Sequence, residues 1–405
     1  MVRLHLTVRT PSAEADSHDT ETTMSQDTLT ALIGLGLFTG APQHENFTRM
    51  AEILPSSRMA PSTAPREWPV GDPIEAPDTY RYDDQDKPFE DFFVETDTAA
   101  LLVLEDGRIR YERYALTGGA DVPWMSMSVA KSFISALVGI AVEEGLIGSI
   151  DEAISDYVRV KDGSAYDGVS IKNVLQMSSG ARWNEDYSDP TSDIFGLNAA
   201  MAGIGTLEDF VGAMVPENEP GTVCRYNSGD TQILGVLLAR ATGRTVADYM
   251  QEKLCEPLGM SAPSYWLVDG TGMEVAFAGL NMTARDFARL GELYRNDGVL
   301  DGHQIVPAAW TQMSTTTGAP HLEPGQPIVG DHHFGLGYGY QWWIPAGTDG
   351  EFSAIGVYNQ FVYVDPSRNR VIVKLSANRA YGTTPDESTN REHETVEFLR
   401  ALARA

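Results

Sequence analysis

The chain has 405 residues, 42% of them hydrophobic and 9% aromatic, enough to bury one large core or two modest ones. Its 57 acidic side chains against 29 basic ones leave a formal charge of −28, which argues against nucleic acid and anionic membranes as partners, because phosphates would be repelled. No apolar run reaches the roughly 18 residues that a membrane helix needs; the longest early one, Leu29 to Phe38, is short and interrupted by glycine, so a soluble protein is expected. Cys224 and Cys255 fall in neither CxxC nor Cys/His spacing and cannot build a disulfide framework, which fits the cytoplasm.

Taken in chain order, residues 1–41 are expected to be a disordered or loosely attached leader, polar and without periodicity as far as Thr30. Residues 42–88 are punctuated by proline and read as an extended arm laid over the body. Two β-rich runs flank Asp106-Gly107, a hairpin signal. The apolar stretch from Trp124 predicts a buried helix running from Ser128 to about Glu144, stopped by Gly145. Helical patterns follow: a new helix starting near Ser149 and Asp151, then "SIKNVLQMSSG", "TLEDFVGAMV", "DTQILGVLLARATG", "TVADYMQEKLCEPLGM" and "TARDFARLGELYRNDG". Beyond residue 296 the period shortens. "YGYQWWIPA", "EFSAIGVYNQFVYVDP" and "RVIVKLSAN" read as three strands, and "REHETVEFLRALARA" as a closing amphipathic helix. Strands at both ends with helices between predict an α+β fold. One antiparallel sheet, flanked by helices, is built from 89–149 and 297–405, with 150–296 inserted as a mainly helical domain.

The chemistry gathers at the start of the buried helix. Residues three apart share a helix face, so Ser128 and Lys131 can bring hydroxyl and ammonium together. Serine three residues before lysine also occurs on solvated helix surfaces. Here, however, the chain has only six lysines, and Lys131 alone has that serine and lies where the helix should be buried. A lysine stripped of its proton by desolvation and by the positive end of a helix can serve as the serine's general base. The Ser128 backbone N–H, near the helix start, is a candidate oxyanion donor. Tyr226, in a Tyr-Asn-Ser tripeptide before a strongly apolar helix, is a candidate proton carrier; alone it would read as a core tyrosine.

"SMSVAKSFISALVG", then "YNSGD", then the late run "SAIGVYNQFVYVDPSRNRVIVKLS" resemble the serine β-lactamase, penicillin-binding-protein and family VIII esterase superfamily, whose motifs occur in this order. "VLQMSSGARWNEDYSDPTSD", "NMTARDFARLGELYRNDG" and "YGYQWW" are similar to its 6-aminohexanoate-dimer (nylon-oligomer) hydrolase branch. The resemblance spans about Pro42 to Ala405. It implies a β-lactamase/transpeptidase-like fold in which Ser128 is acylated, Lys131 is the base and Tyr226 the relay. It further implies that the N–H of Val357 joins that of Ser128 in the oxyanion hole and that Tyr187 closes over the substrate. Asn198 and Phe277 stand where the nylon-dimer enzymes have a substrate-binding aspartate and an asparagine. Tyr358-Asn359-Gln360 replaces the Lys-Thr-Gly of β-lactamases, so the lysine that pairs with a β-lactam carboxylate is missing. Bulky Phe277 and Tyr358 would narrow the pocket toward small or apolar acyl groups, and Trp183 is expected to line the cleft.

The implied activity is hydrolysis of carboxylic esters or small linear amides. The alternatives are a β-lactamase or D-alanyl carboxypeptidase-like enzyme, or a non-catalytic ligand-binding protein of the same fold. No cofactor is expected: "GLGLFTG" and "GLGYGYQ" miss the dinucleotide and P-loop spacings. No metal is expected either, since "DHH" at 331–333 and "REHE" at 391–394 lack metalloenzyme spacing. A GxSxG elbow is absent. A small-molecule substrate is the expected partner, and a homodimer is left open.

Overall fold

In a computed structural model of the chain, residues 27–328 and 335–405 are described. The 331–333 run and the first part of the expected leader lie outside them. The leader expectation needs correction at its end. Residues 27–34 are helical, and the turn that follows buries Leu35 and stacks Phe38 on Tyr187 at a centroid distance of 4.2 Å. The arm is not wholly extended either: His44–Phe47 and Met50–Ile53 are short helices, after which β1 (Ser56–Met59) joins a sheet.

The hairpin signal corresponds to β2 (Thr98–Glu105) and β3 (Arg108–Tyr114), antiparallel around Asp106 and Gly107, both at positive φ. After β4 (Trp124–Met125) comes a 3-10 turn, Met127–Val129, leading into α1 (Ala130–Glu143). Every residue of α1 from Ala130 to Ala141 is buried, as an all-round apolar helix requires. The helix expected from Ser149 does not form, apart from a 3-10 turn at Ile154–Asp156. Its backbone groups bond sideways instead: Ile154 N–H to Val169 O, Ile171 N–H to Glu152 O and Lys172 N–H to Ile150 O.

Next come α2 (Asp193–Met201) and α3 (Ser228–Thr242), followed by β5 (Ser264–Leu267), β6 (Leu280–Met282) and α4 (Ala284–Arg295). Strands β1, β5, β6 and β4 form a small antiparallel sheet in that order, so the segment expected to be mainly helical also supplies two strands.

The C-terminal run is more broken than expected. "YGYQWWIPA" gives two short strands, β7 (Gly337–Tyr338) and β8 (Trp343–Ile344). "EFSAIGVYNQFVYVDP" is a hairpin of β9 (Phe352–Gly356) and β10 (Gln360–Asp365). Tyr358 and Asn359, both at φ 64°, fold the chain back between them. β11 (Arg370–Ser376) and α5 (Glu392–Ala403) complete the chain.

The main sheet runs β7-β8-β9-β10-β11-β2-β3, antiparallel throughout. Its central strands are apolar on both faces. Leu102, Val362, Val364 and Val371 face the core that holds α1, α3 and α4, while Leu101, Phe361, Tyr363 and Ile372 face α5 and the Phe89–Glu95 helix. Two-sided burial explains why these strands read as continuous apolar runs. α4 lies close on the sheet at Gly291, where a Cβ would come within 2.6 Å of Val371 Cγ1. Among the described residues no helix is long and apolar enough to cross a membrane.

Candidate active site

The structure brings Ser128, Lys131, Tyr226 and Val357 together where the start of α1 meets the end of β9. Met127, just before the serine, has φ 47°, a left-handed conformation that costs a non-glycine residue about 1 kcal/mol or more and is typically kept where it aims a neighbour. Gly356 packs directly against this turn. A Cβ there would lie 2.9 Å from Ser128 N and 2.8 Å from Ser126 O, so only glycine lets the hairpin approach the serine turn this closely.

Lys131, 2% exposed, is anchored at three points. Its Nζ donates to Ser128 Oγ at 2.9 Å, to Ser228 Oγ at 3.0 Å and to the Phe277 carbonyl at 3.0 Å. The rings of Tyr226 and Phe277 flank it, with centroids 5.0 and 5.7 Å away. Burial pushes the ammonium down to about 8, partly opposed by the charge of Glu185. A neutral amine is therefore accessible near neutral pH, and its lone pair would face the Ser128 hydroxyl.

Tyr226 lines the same cavity wall as Ser128, and its phenol is held well above its usual range by burial and by the charge of Glu185. It is thus fitted to pass a proton as a neutral phenol rather than to store a negative charge. Its ring packs on Trp343 at 5.1 Å. The neighbouring Asn227 caps α3, accepting from Gly229 N at 2.8 Å. That leaves Ser228, one position on, to meet the lysine.

Glu185 was missed by sequence reasoning, although it stands two residues before Tyr187. It is 4% exposed and accepts four donors. Oε1 receives Ser228 Oγ at 2.7 Å and Tyr187 OH at 2.6 Å, while Oε2 receives Ser228 N at 2.9 Å and Trp183 Nε1 at 2.7 Å. A continuous hydrogen-bonded path therefore runs Ser128–Lys131–Ser228–Glu185–Tyr187.

Two cavities adjoin Ser128. The first, about 60 Å³, is apolar and is lined by Phe38, Met125, Met201, Leu267, Val275 and Phe277, with Asn198 at its edge. The second, about 20 Å³, is lined by Glu185, Tyr187, Tyr226, Trp343, Tyr381 and Glu392. Val357 borders both, and no lysine or arginine lines either. Trp183 and Tyr358, expected on the cleft surface, stand behind it. Trp183 holds Glu185, and the Tyr358 hydroxyl accepts the Phe38 N–H at 2.7 Å. Trp342, just before β8, and Trp343, its first residue, face opposite ways: Trp343 packs on Tyr226, Trp342 on Tyr294 and Phe352. A larger open groove of about 770 Å³ around Trp68, Arg289 and Glu292 offers no nucleophile, and its Arg66, Arg289 and Glu292 pair with Asp301, Asp286 and Arg295.

Both cysteines are buried and free, and burial raises both thiols to about 12. Asp349, Glu351 and Asp365 lie close enough together to hold an ion, but Arg368 and Arg400 already pair with them. In "REHE", Arg391 binds Glu95 and Glu394.

The fold is shared with known proteins. The Beta-lactamase family profile matches residues 89–396. The 6-aminohexanoate-dimer hydrolase of Paenarthrobacter ureafaciens is 31% identical over 358 residues, 86% of this chain and 87% of that protein. A solved structure described as a candidate 6-aminohexanoate-dimer hydrolase from Bacillus anthracis aligns with a TM-score of 0.77 at 24% identity, over 88% of this chain and 93% of its own. A family VIII carboxylesterase aligns with a TM-score of 0.57 at 16% identity, over 78% of this chain and 95% of its own. These last two share the fold. The chain belongs to the Beta-lactamase family of hydrolases.

Proposed function

We propose that the protein is a serine hydrolase that cleaves carboxylic esters or small linear amides through an acyl-enzyme on Ser128. The observation that carries this reading is the 2.9 Å contact between Ser128 Oγ and the buried Nζ of Lys131, whose burial favours the neutral amine. Neutral Lys131 takes the serine proton as Oγ attacks the carbonyl carbon. The oxygen that becomes negative lies between the N–H groups of Ser128 and Val357. Tyr226 passes a proton to the departing nitrogen or oxygen, and Lys131 restores the tyrosine proton. Water then enters where the leaving group stood, loses its proton by the reverse route, attacks the acyl carbon and frees Ser128.

Ser228 and Glu185 are positioning residues in this scheme. They hold the lysine amine and, through Tyr187, one wall of the cleft. The apolar cavity takes the acyl part, and Asn198 and Phe277 stand on its wall. A β-lactam carries a carboxylate that calls for a cation, and neither cavity is lined by lysine or arginine, which favours neutral esters and amides over antibiotics.

The test is labelling by an uncharged fluorophosphonate together with turnover of short p-nitrophenyl esters, 6-aminohexanoate dimer and a chromogenic cephalosporin. The expected result is labelling and ester or amide turnover in the wild type, both lost in Ser128→Ala. An unlabelled wild type without turnover would refute the reading and leave a binding protein.

A further inference from the structure

We infer that the smaller cavity is the leaving-group subsite and that it is built for a cation: a primary ammonium on the amine or alcohol released during acylation. The inference rests on the serine-hydrolase reading above for its polarity, and on Glu392 for its chemistry.

The polarity follows from Tyr226. A residue that protonates the leaving atom must stand beside it, and Tyr226 lines the smaller cavity and not the apolar one. The acyl chain then occupies the apolar side, and whatever departs lies against Glu392, Tyr381 and Trp343.

Glu392 opens α5 with its side chain turned into this cavity and only 3% of the residue exposed. Its Oε1 accepts the Tyr381 hydroxyl, but Oε2 is buried with no hydrogen-bond partner. An orphaned buried carboxyl oxygen is costly and calls for a donor that the protein itself does not provide. The cation nearest in sequence, Arg391, is committed elsewhere, to Glu95 and Glu394 and over the ring of Phe92. The ionisable groups around the carboxyl are Glu387, Glu185, Tyr187, Tyr226 and Tyr381, all acids, with Lys131 beyond Tyr226. Burial and the neighbouring Glu387 raise the Glu392 carboxyl well above the usual carboxylate range, a cost that a cation beside Oε2 would relieve. An arriving ammonium would favour its ionised form.

The rest of the lining suits the same guest. The rings of Tyr226, Tyr187, Tyr381 and Trp343 offer electron-rich surface to a cation, and a volume of about 20 Å³ matches an ammonium head or one water. A surface charge of −28 raises the local concentration of cationic substrates. The substrate class is therefore an apolar acyl group joined to a diamine or amino alcohol. The leaving half of 6-aminohexanoate dimer ends instead in a carboxylate, and such substrates should be disfavoured.

The test compares N-(2-aminoethyl)butanamide with N-propylbutanamide, which differ by an ammonium in place of a methyl group, by butyrate release. Ethylammonium binding is measured by calorimetry in parallel. A cationic preference of at least tenfold in kcat/KM is expected in the wild type, carried by KM, and both Glu392→Gln and Glu392→Ala should collapse it toward unity. Ethylammonium binding should weaken at least tenfold in the same variants. Equal kcat/KM for the pair, or a preference that survives both substitutions, would overturn the inference. Where neither amide turns over, the calorimetry decides, and wild-type protein that does not bind ethylammonium overturns it. Fluorophosphonate labelling separates the two readings, because labelled protein without cation preference keeps the hydrolase and loses the subsite. Unlabelled protein that binds ethylammonium through Glu392 does the reverse.

Discussion

Ser228 Oγ donates to Glu185 Oε1 at 2.7 Å while accepting from Lys131 Nζ at 3.0 Å, so a single hydroxyl links the lysine to a carboxylate 54 positions away. Glu185 raises the Lys131 pKa against the effect of burial. Glu185→Gln removes that charge and puts an NH₂ among four donors that now meet carboxylate oxygens. Stability should fall by about 1–3 kcal/mol, the cost of leaving buried donors unmatched. The acid limb of the pH–rate profile should move to lower pH, because the amine deprotonates more readily. Chemical denaturation and a pH profile of kcat/KM check the two effects. A lower rate with an unmoved acid limb would reduce Glu185 to a structural support.

Lys131 itself sets the pH dependence. The neutral amine is the active form and its pKa is about 8, so kcat/KM should fall about tenfold per unit below pH 7 and level off above 8. Lys131→Ala should lose nearly as much activity as Ser128→Ala, since residues acting as a unit are not additive. Lys131→Met should abolish turnover yet raise Tm near neutral pH. The sign follows from linkage: the folded pKa lies below the unfolded value of 10.5, so the buried ammonium costs stability in full below about 8. That cost shrinks as pH rises from 8 toward 10.5, and the Tm advantage of Lys131→Met should shrink with it. A constant difference across this window would mean that Lys131 is not the titrating group.

How much of this was legible beforehand depended on separation along the chain. Ser128 and Lys131 lie on one helix turn, so spacing alone put them together. Long apolar runs gave the central strands, whose two buried faces leave an unmistakable signal. The small sheet was invisible, because β1, β4, β5 and β6 have two to four residues each, too few to display a period of two. Glu185 and Glu392 carry no local signature of their burial. One meets Ser228 across 43 positions, and the other reaches the cleft only because α5 begins there. The apolar run that ends at Phe38 was visible but stood in a polar, aperiodic leader, and nothing local told that it packs on Tyr187 and Tyr358, 149 and 320 positions away.

That segment leads to a prediction about acyl length. Phe38 stacks on Tyr187 and lies 5.1 Å from the ring of Tyr358, whose hydroxyl holds its N–H, and it walls the apolar cavity together with Leu32 and Leu37. Phe38→Ala, or removal of residues 1–40, should open a cavity of only about 60 Å³. The ratio of kcat/KM for p-nitrophenyl octanoate over acetate should rise several-fold in both variants. A ratio unchanged in both would show that the segment covers the site without shaping it.

Gly356 makes the most local prediction. The space a Cβ would need is already taken by Ser128 N at 2.9 Å and Ser126 O at 2.8 Å, both backbone atoms that cannot swing aside. Gly356→Ala must therefore push the β9–β10 hairpin away from the serine turn, carrying the Val357 N–H out of reach of an oxygen bound at the Ser128 N–H. Loss of one oxyanion donor costs about 10²–10³ in kcat. Overpacking at one site costs about 1–3 kcal/mol, which leaves a well-packed domain folded. The expected variant keeps its circular dichroism spectrum and a cooperative melt, with kcat lowered a hundredfold or more and KM little changed. A folded Gly356→Ala enzyme with near-normal kcat would remove Val357 from the oxyanion hole and leave Ser128 N–H to find its partner elsewhere.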